Sequence, residues 1–247
     1  MPRFIVSPSE IKDPEILLSR KESRHALSVL RLKTGAQVHL MDGRGRQVLG
    51  IIGSVENSRV RVITDGIAIE KDPPKLRVTL VVSVIRPERM EWLIEKSCEL
   101  GVAAIVPVVT ERCIVRLSKE RWKSKAERWR KIAAESCKQC GLTELPRINE
   151  AVRLNDYLGR LPDFDRILVP TLAVPAEKIS ANLDFKSVKT PRLLAFIGPE
   201  GDFTKKEVEA VLAKGGKAVS LGPLTLRSET AAICLLSILN FNYHELT

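Results

Sequence analysis

Two glycine-bearing segments near the carboxyl end of this chain carry the residue types that a small-molecule site needs. The first is Phe196-Ile197-Gly198-Pro199-Glu200-Gly201-Asp202-Phe203, which leaves an apolar run and enters Thr204-Lys205-Lys206-Glu207, a capping box that starts a helix. Glycines at a strand-to-helix turn let a ligand approach the backbone, whose amides then act as donors. The second is Leu221-Gly222-Pro223-Leu224-Thr225-Leu226-Arg227-Ser228-Glu229-Thr230-Ala231-Ala232, again an irregular loop between a strand and a helix. Either loop alone also fits a turn in which glycine serves geometry only. Two of them at the carboxyl ends of strands could build a ligand crevice together.

Other chemistries find little support. Cys137-Lys138-Gln139-Cys140 is a lone CxxC on an expected helix, with no second pair and no histidines at zinc spacing, so no metal is expected. His25, His39 and His244 have no spacing with Asp or Glu that suggests an acid–base site. A Rossmann fingerprint and a P-loop are both absent, so a nucleotide cofactor would need another kind of site.

The elements that must position these loops change in character at Lys71-Asp72-Pro73-Pro74-Lys75, where two prolines exclude helix interior and central strand. Before it, Val38–Met41, Val48–Ile52 and Val60–Ile63 read as short strands separated by Asp42-Gly43-Arg44-Gly45 and Asn57-Ser58, with a short helix over about Ser23–Leu30. This suggests a small β-barrel of some seventy residues, a size class in which oligonucleotide-binding barrels occur. After it, strands expected near Leu76–Ile85, Ala104–Val109, Arg166–Val169, Leu193–Ile197 and Ala218–Leu221 alternate with helices, the pattern of a mainly parallel sheet. The helix Glu88–Leu100 places Met90, Leu93, Ile94 and Cys98 on one face and ends at Gly101. The longer Lys119–Cys140 spaces Trp122, Ala126, Trp129, Ala133 and Cys137 for burial. The last helix, Ser228–Asn240, is apolar nearly all round and must be covered, in this chain or by a second copy.

Charge narrows the partners. Lys plus Arg number 40 against 30 acidic residues, a net charge of +10, which favours polyanions through counterion release. Arg116–Lys131 carries eight basic and two acidic residues, so six of those ten net charges lie there, on either a phosphate-contacting face or a solvated helix face. Aromatic residues, at 4%, are too few for an RNA binder built on stacking platforms. No run approaches the roughly 18 to 20 apolar residues of a membrane span. No secretory signal is visible at Met1-Pro2-Arg3-Phe4, and five cysteines without a framework of spacings fit a reducing cytoplasm.

The motifs GPEGDF and LGPLTLRSETA, in this order and roughly twenty residues apart, resemble the signature loops of the ribosomal RNA small subunit methyltransferase E family, a branch of the SPOUT superfamily. The resemblance extends over nearly the whole chain. Arg3-Phe4 and His25 through Gly35 are similar to the family's PUA-like N-terminal domain, and Arg89 through Gly101 and Pro107 through Arg112 to its first catalytic-domain motifs. The chain departs from the family pattern at Leu142, where an arginine is usual, at Arg86, where a lysine is common, and at Asp202, where the family has a second glycine. The last change adds a carboxylate beside the loop.

The resemblance implies a PUA-like β-barrel over residues 1–72 and a SPOUT α/β domain with a C-terminal trefoil knot over 73–247. It implies S-adenosyl-L-methionine as cofactor, held by Gly198, Pro199, Glu200, Gly201, Leu221, Gly222, Leu226, Arg227 and Thr230. It implies N3 of a uridine in 16S rRNA as the methyl acceptor, a homodimer and a cytoplasmic location, with no membrane and no metal. Arg227 and Glu229 are the catalytic candidates: a guanidinium stays charged and can stabilise a developing uridine anion. Arg227 could alternatively form a salt bridge to Glu229 or Glu200, Glu200 could hold its loop, and Ser228 or Thr230 could cap the last helix. Arg3, Arg24, Arg31, Arg112, Arg116, Arg121, Lys123 and Lys125 are the expected RNA contacts. Two other functions fit the same fold: an RNA- or ribosome-binding protein without catalysis, and a SPOUT methyltransferase acting on another RNA such as tRNA.

Overall fold

Alternating β-branched residues build the first of two units, Met1–Pro73 with Ala134–Leu145. The computed structural model describes residues 1–72, 74–113, 115, 118–184 and 188–246, without the side chains of 119, 245 and 246. The strands of this unit are β1 (Arg3–Ile5), β2 (Glu15–Leu17), β3 (Gln37–Met41), β4 (Arg46–Glu56), β5 (Arg59–Thr64) and β6 (Ile69–Glu70). They form one sheet in the order β1-β3-β4-β5-β2, with β6 on β4. β1 runs parallel to β3 and the other pairs are antiparallel. Phe4, Ile16, Val38, Leu40, Val48, Ile52, Val60 and Val62 alternate inward to make the core.

Helix α1 (Arg20–Arg24) continues as a π-helical turn over His25–Val29. It starts earlier than expected because Ser19, whose hydroxyl accepts the Glu22 N–H at 3.2 Å, is the N-cap. Ser23 is buried instead: its hydroxyl donates to the Leu18 carbonyl and accepts the Val60 N–H, tying the helix to the sheet. Ala134–Leu145, which the sequence assigns to the second domain, packs within this unit. There the buried Lys138 ammonium meets Glu22 at 3.1 Å and Glu135 at 2.7 Å. A buried lysine is tolerated only when paired in this way.

The second unit comprises Pro74–Ala133 and Pro146–Thr247. Its elements are β7 (Arg77–Ser83), α2 (Pro87–Glu99), β8 (Ala104–Val109), α3 (Lys119–Cys140, whose last turns belong to the first unit), β9 (Arg147–Ile148), β10 (Val152–Arg153), α4 (Leu154–Leu158), β11 (Arg166–Pro170), β12 (Glu177–Lys178), β13 (Arg192–Ile197), α5 (Lys205–Leu212), β14 (Lys217–Ser220) and α6 (Ser228–Leu246). The sheet order is β10-β8-β7-β13-β11-β14-β12, with β9 on β8, and every pair is parallel. Helices cover a parallel sheet, so strands such as β13 read as continuous apolar runs. Both capping expectations hold: Thr204 and Glu207 form the capping box of α5, and Gly101, at φ +74°, follows α2.

Helix α6 is longer than expected and buries Ala232, Leu235, Leu236, Leu239 and Tyr243 within its own chain. Its apolar character is therefore largely used internally. Asn240 donates to the Leu100 carbonyl and the Tyr243 hydroxyl to that of Lys189. Among the described residues no helix is long and apolar enough to cross a membrane.

Candidate functional site

The strand order places β13 between β7 and β11, and β14 beside β11, so the carboxyl ends of β11, β13 and β14 are neighbours. A cleft with a cavity volume of about 100 Å³, open to solvent, lies there. Gly198, Pro199, Glu200 and Asp202 line it from the loop after β13, and Leu221, Gly222, Leu224, Thr225 and Leu226 from the loop after β14. A third wall is Pro170, Thr171 and Leu172 at the end of β11, and Ser228 and Ala231 of α6 complete it. Of the residues expected at the cofactor, Gly201, Arg227 and Thr230 do not line the cleft, while the other six do.

The two key glycines are required for different reasons. A Cβ on Gly198 would lie 2.8 Å from the Asp202 Oδ1 and 3.1 Å from the Phe203 nitrogen. Closure of the loop on itself, more than access for a ligand, excludes a side chain there. Gly222 has φ +133° with no atom near the position of a Cβ. Its backbone conformation needs glycine, and the space beside it is open.

Arg112, expected at RNA, turns its guanidinium to this loop instead: Nη1 donates to the Gly201 carbonyl at 2.5 Å and the Phe203 carbonyl at 3.5 Å. The adjacent Glu111 N–H donates to Glu207 at 2.8 Å. The capping-box glutamate thus anchors both the helix and the neighbouring segment.

Behind the loops, Arg89 of α2 lies 3.6 Å from Glu200 and 3.7 Å from Glu229. Among the described residues these carboxylates pair with Arg89, and the salt bridge considered for Arg227 is not formed. Arg227 is exposed; its carbonyl accepts the Ala231 N–H at 2.8 Å, while its guanidinium has no hydrogen bond or ion pair among the described residues. Glu229 is buried and among the described residues its Oε2 has no hydrogen-bond partner; the buried Ser228 hydroxyl has none among them either, and does not cap α6 there. Thr230 is exposed.

The other expected RNA contacts are scattered. Arg3 is half-buried and donates through Nη1 to the Lys138 and Gln139 carbonyls, both at 3.0 Å, closing the end of α3. A cation at a helix C-terminus is a favourable structural arrangement. Arg24 and Arg31 are exposed, as are Arg121 and Lys123 on α3, with Lys125 half-buried. Arg116 lies outside the described residues. Nearby basic residues are spent on structure: Arg128 makes a two-pronged bond to Glu91 at 2.6 and 2.7 Å, and Arg130 donates to the Ile148 carbonyl.

Comparison with known proteins decides the family. An RNA methyltransferase domain model matches residues 72–240 and an RNA methyltransferase PUA domain model matches residues 18–65. Ribosomal RNA small subunit methyltransferase E of Bacillus subtilis is 30% identical over 231 residues, covering 92% of this chain and 90% of the relative. This chain belongs to the ribosomal RNA small subunit methyltransferase E family. The Aquifex aeolicus member of the family is 33% identical over 170 residues, covering 68% of this chain and 70% of its own. Among solved structures, the Neisseria gonorrhoeae member of the family, bound to S-adenosyl methionine, superposes with a TM-score of 0.85 at 30% identity over 96% of both chains. A Legionella pneumophila protein solved with the bound cofactor SAM gives a TM-score of 0.88 at 31% identity over 98% of this chain and 97% of that one.

Within this family the first unit is the PUA domain and the second the α/β methyltransferase domain with its parallel sheet. Sequence reasoning missed two parts of the site. Val169-Pro170-Thr171-Leu172 carries no glycine or charge, and only its place at the end of a parallel strand could have flagged it. Arg89 was visible inside a family motif, but its two carboxylate neighbours lie more than a hundred residues away in sequence.

Proposed function

We propose that this protein transfers a methyl group from S-adenosyl-L-methionine to N3 of a uridine in 16S rRNA. The observation that carries this reading is the cleft where three parallel strands end, walled by both signature loops, in a chain of this methyltransferase family. The residues fit the cofactor: Leu172, Leu221, Leu224 and Leu226 offer apolar surface to a purine and to the carbon chain flanking a sulfonium, while backbone groups around Gly198 and Gly222 supply polar anchors. S-adenosyl-L-methionine supplies an activated methyl group on its sulfonium.

Uridine N3 carries a proton, so its methylation needs loss of that proton and alignment of the nitrogen with the methyl. The negative charge then appears on the uracil carbonyl oxygens. Arg227, exposed and unpaired, is available to meet that charge. Glu229 takes the second catalytic assignment: Oε1 faces Arg89 and the lone pairs of Oε2 are unspent. Residues 1–72, which Ala134–Leu145 joins, form the RNA-binding domain as a PUA-like barrel, and the rest of 73–247 the SPOUT domain. Insertion of β13 between β7 and β11, and of β14 between β11 and β12, supports a C-terminal trefoil knot. The exposed Leu172, Leu224 and Phe241 support a homodimer, since large apolar groups favour a covered surface.

Titration of the purified protein with S-adenosyl-L-methionine, followed by transfer of labelled methyl to 16S rRNA, small subunits or tRNA, tests the reading. Cofactor binding with labelling of 16S rRNA is expected. Binding of RNA without cofactor would make this a non-catalytic member, and labelling of tRNA alone would move the substrate.

A further inference from the structure

The backbone of Asp202 sits at φ +58°, a conformation that side chains seldom adopt. Its carboxylate is nearly saturated. Oδ2 accepts the Thr171 hydroxyl at 2.8 Å and the Leu172 N–H at 2.7 Å, and Oδ1 accepts the Phe203 N–H at 2.7 Å. The Thr171 oxygen in turn accepts the Ala173 N–H at 3.0 Å. One side chain thus joins the loop after β13 to the loop after β11, two walls of the cleft. Leu172 lines the cleft yet is 68% exposed, so its own burial does not fix it, although Ala173 beside it packs on the core.

We infer that Asp202 is a positioning residue that sets the cofactor cleft by fixing the Thr171–Ala173 wall, and that it acts through Thr171 and Leu172 without binding the cofactor directly. With three of about four acceptor positions filled, the carboxylate has little left for a ligand. The inference rests on the proposed use of the cleft for S-adenosyl-L-methionine.

The test is a double-mutant cycle read by calorimetry with S-adenosyl-L-methionine: unaltered protein, Asp202→Gly, Thr171→Val and the double variant, with melting temperatures alongside. Glycine accepts φ +58° without strain, so Asp202→Gly removes the brace and leaves the turn. Affinity is expected to fall about tenfold, the size of one lost charge-assisted hydrogen bond. Thr171→Val should weaken binding too, and adding it to Asp202→Gly should cost less than it does alone, because its bond to Asp202 is already gone and only the Ala173 N–H contact remains to lose. In turnover, KM for the cofactor should rise more than kcat falls. If Asp202→Gly does not fold, Thr171→Val alone carries the test, since valine cannot donate to the Asp202 carboxylate. Unchanged affinity in folded Asp202→Gly or, failing that, in Thr171→Val, or losses that simply add, would overturn the inference alone. Absence of binding by the unaltered protein would overturn the functional reading and this inference with it.

Discussion

Replacing Arg227 with alanine separates transfer chemistry from both folding and cofactor binding. The side chain is exposed and unpaired, so its loss should change stability by no more than about 0.5 kcal/mol. It does not line the cleft, so affinity for S-adenosyl-L-methionine should change little. The effect on transfer follows from charge. A guanidinium about 4 Å from a full anion gains roughly 4 kcal/mol at an effective dielectric near 20. Solvent around an exposed arginine, and a charge only partly developed in the transition state, reduce this to about 2.7 kcal/mol, or roughly a hundredfold in rate. Arg227→Lys should rescue poorly, because an ammonium on a flexible stem does not reproduce a planar fork. The assay is single-turnover transfer of labelled methyl at saturating cofactor and RNA. A near-normal rate in the alanine variant would refute the role and move the search to Arg89, the guanidinium held between Glu200 and Glu229.

Gly222→Ala forces an ordinary side chain into φ +133°, so the loop must shift even though nothing blocks the Cβ; calorimetry should find cofactor affinity weakened roughly fivefold or more. Replacing Arg121, Lys123 and Lys125 together with alanine should flatten the log–log salt dependence of RNA binding by roughly two units, and an unchanged slope in a filter-binding titration would make α3 a solvated face. Asp42 is held below its usual value of 3.8: burial pushes it up, but the N–H groups of Arg44 and Arg46 and the Arg46 guanidinium outweigh burial. A depressed carboxyl stabilises the fold above the unfolded value and loses that contribution as pH falls through the folded one. Asp42→Asn should therefore lower Tm at neutral pH, and calorimetric scans should find the gap from the unaltered protein closing below about pH 4.

Much of the second unit was legible because its signals are local. The 3.6-residue spacing of Met90, Leu93, Ile94 and Cys98, the capping box at Thr204 and the apolar run of β13 each decide their own neighbourhood. Short elements such as β9, β10 and β12, two residues each, carry no periodicity and are made by their partners. Ser23 looked like a helix start because a serine before an apolar stretch usually is one, whereas its hydroxyl is spent on Leu18 and Val60. Lys138 read as part of the second domain because α3 is continuous in sequence, yet its ammonium is buried against Glu22, 116 residues away. In the site, both glycine loops were legible from composition. Their third wall and the Arg89–carboxylate cluster follow from strand order and from contacts distant in sequence, which one chain read alone does not display.

Mass mapping of 16S rRNA from cells lacking this protein, and from the same cells carrying it again, tests the central claim most directly. The account predicts one uridine that loses a methyl group on N3 in the deletion and regains it on complementation, but not when the Arg227→Ala chain is supplied. Identical 16S rRNA methylation in all three strains, or a missing methyl confined to tRNA, would contradict it.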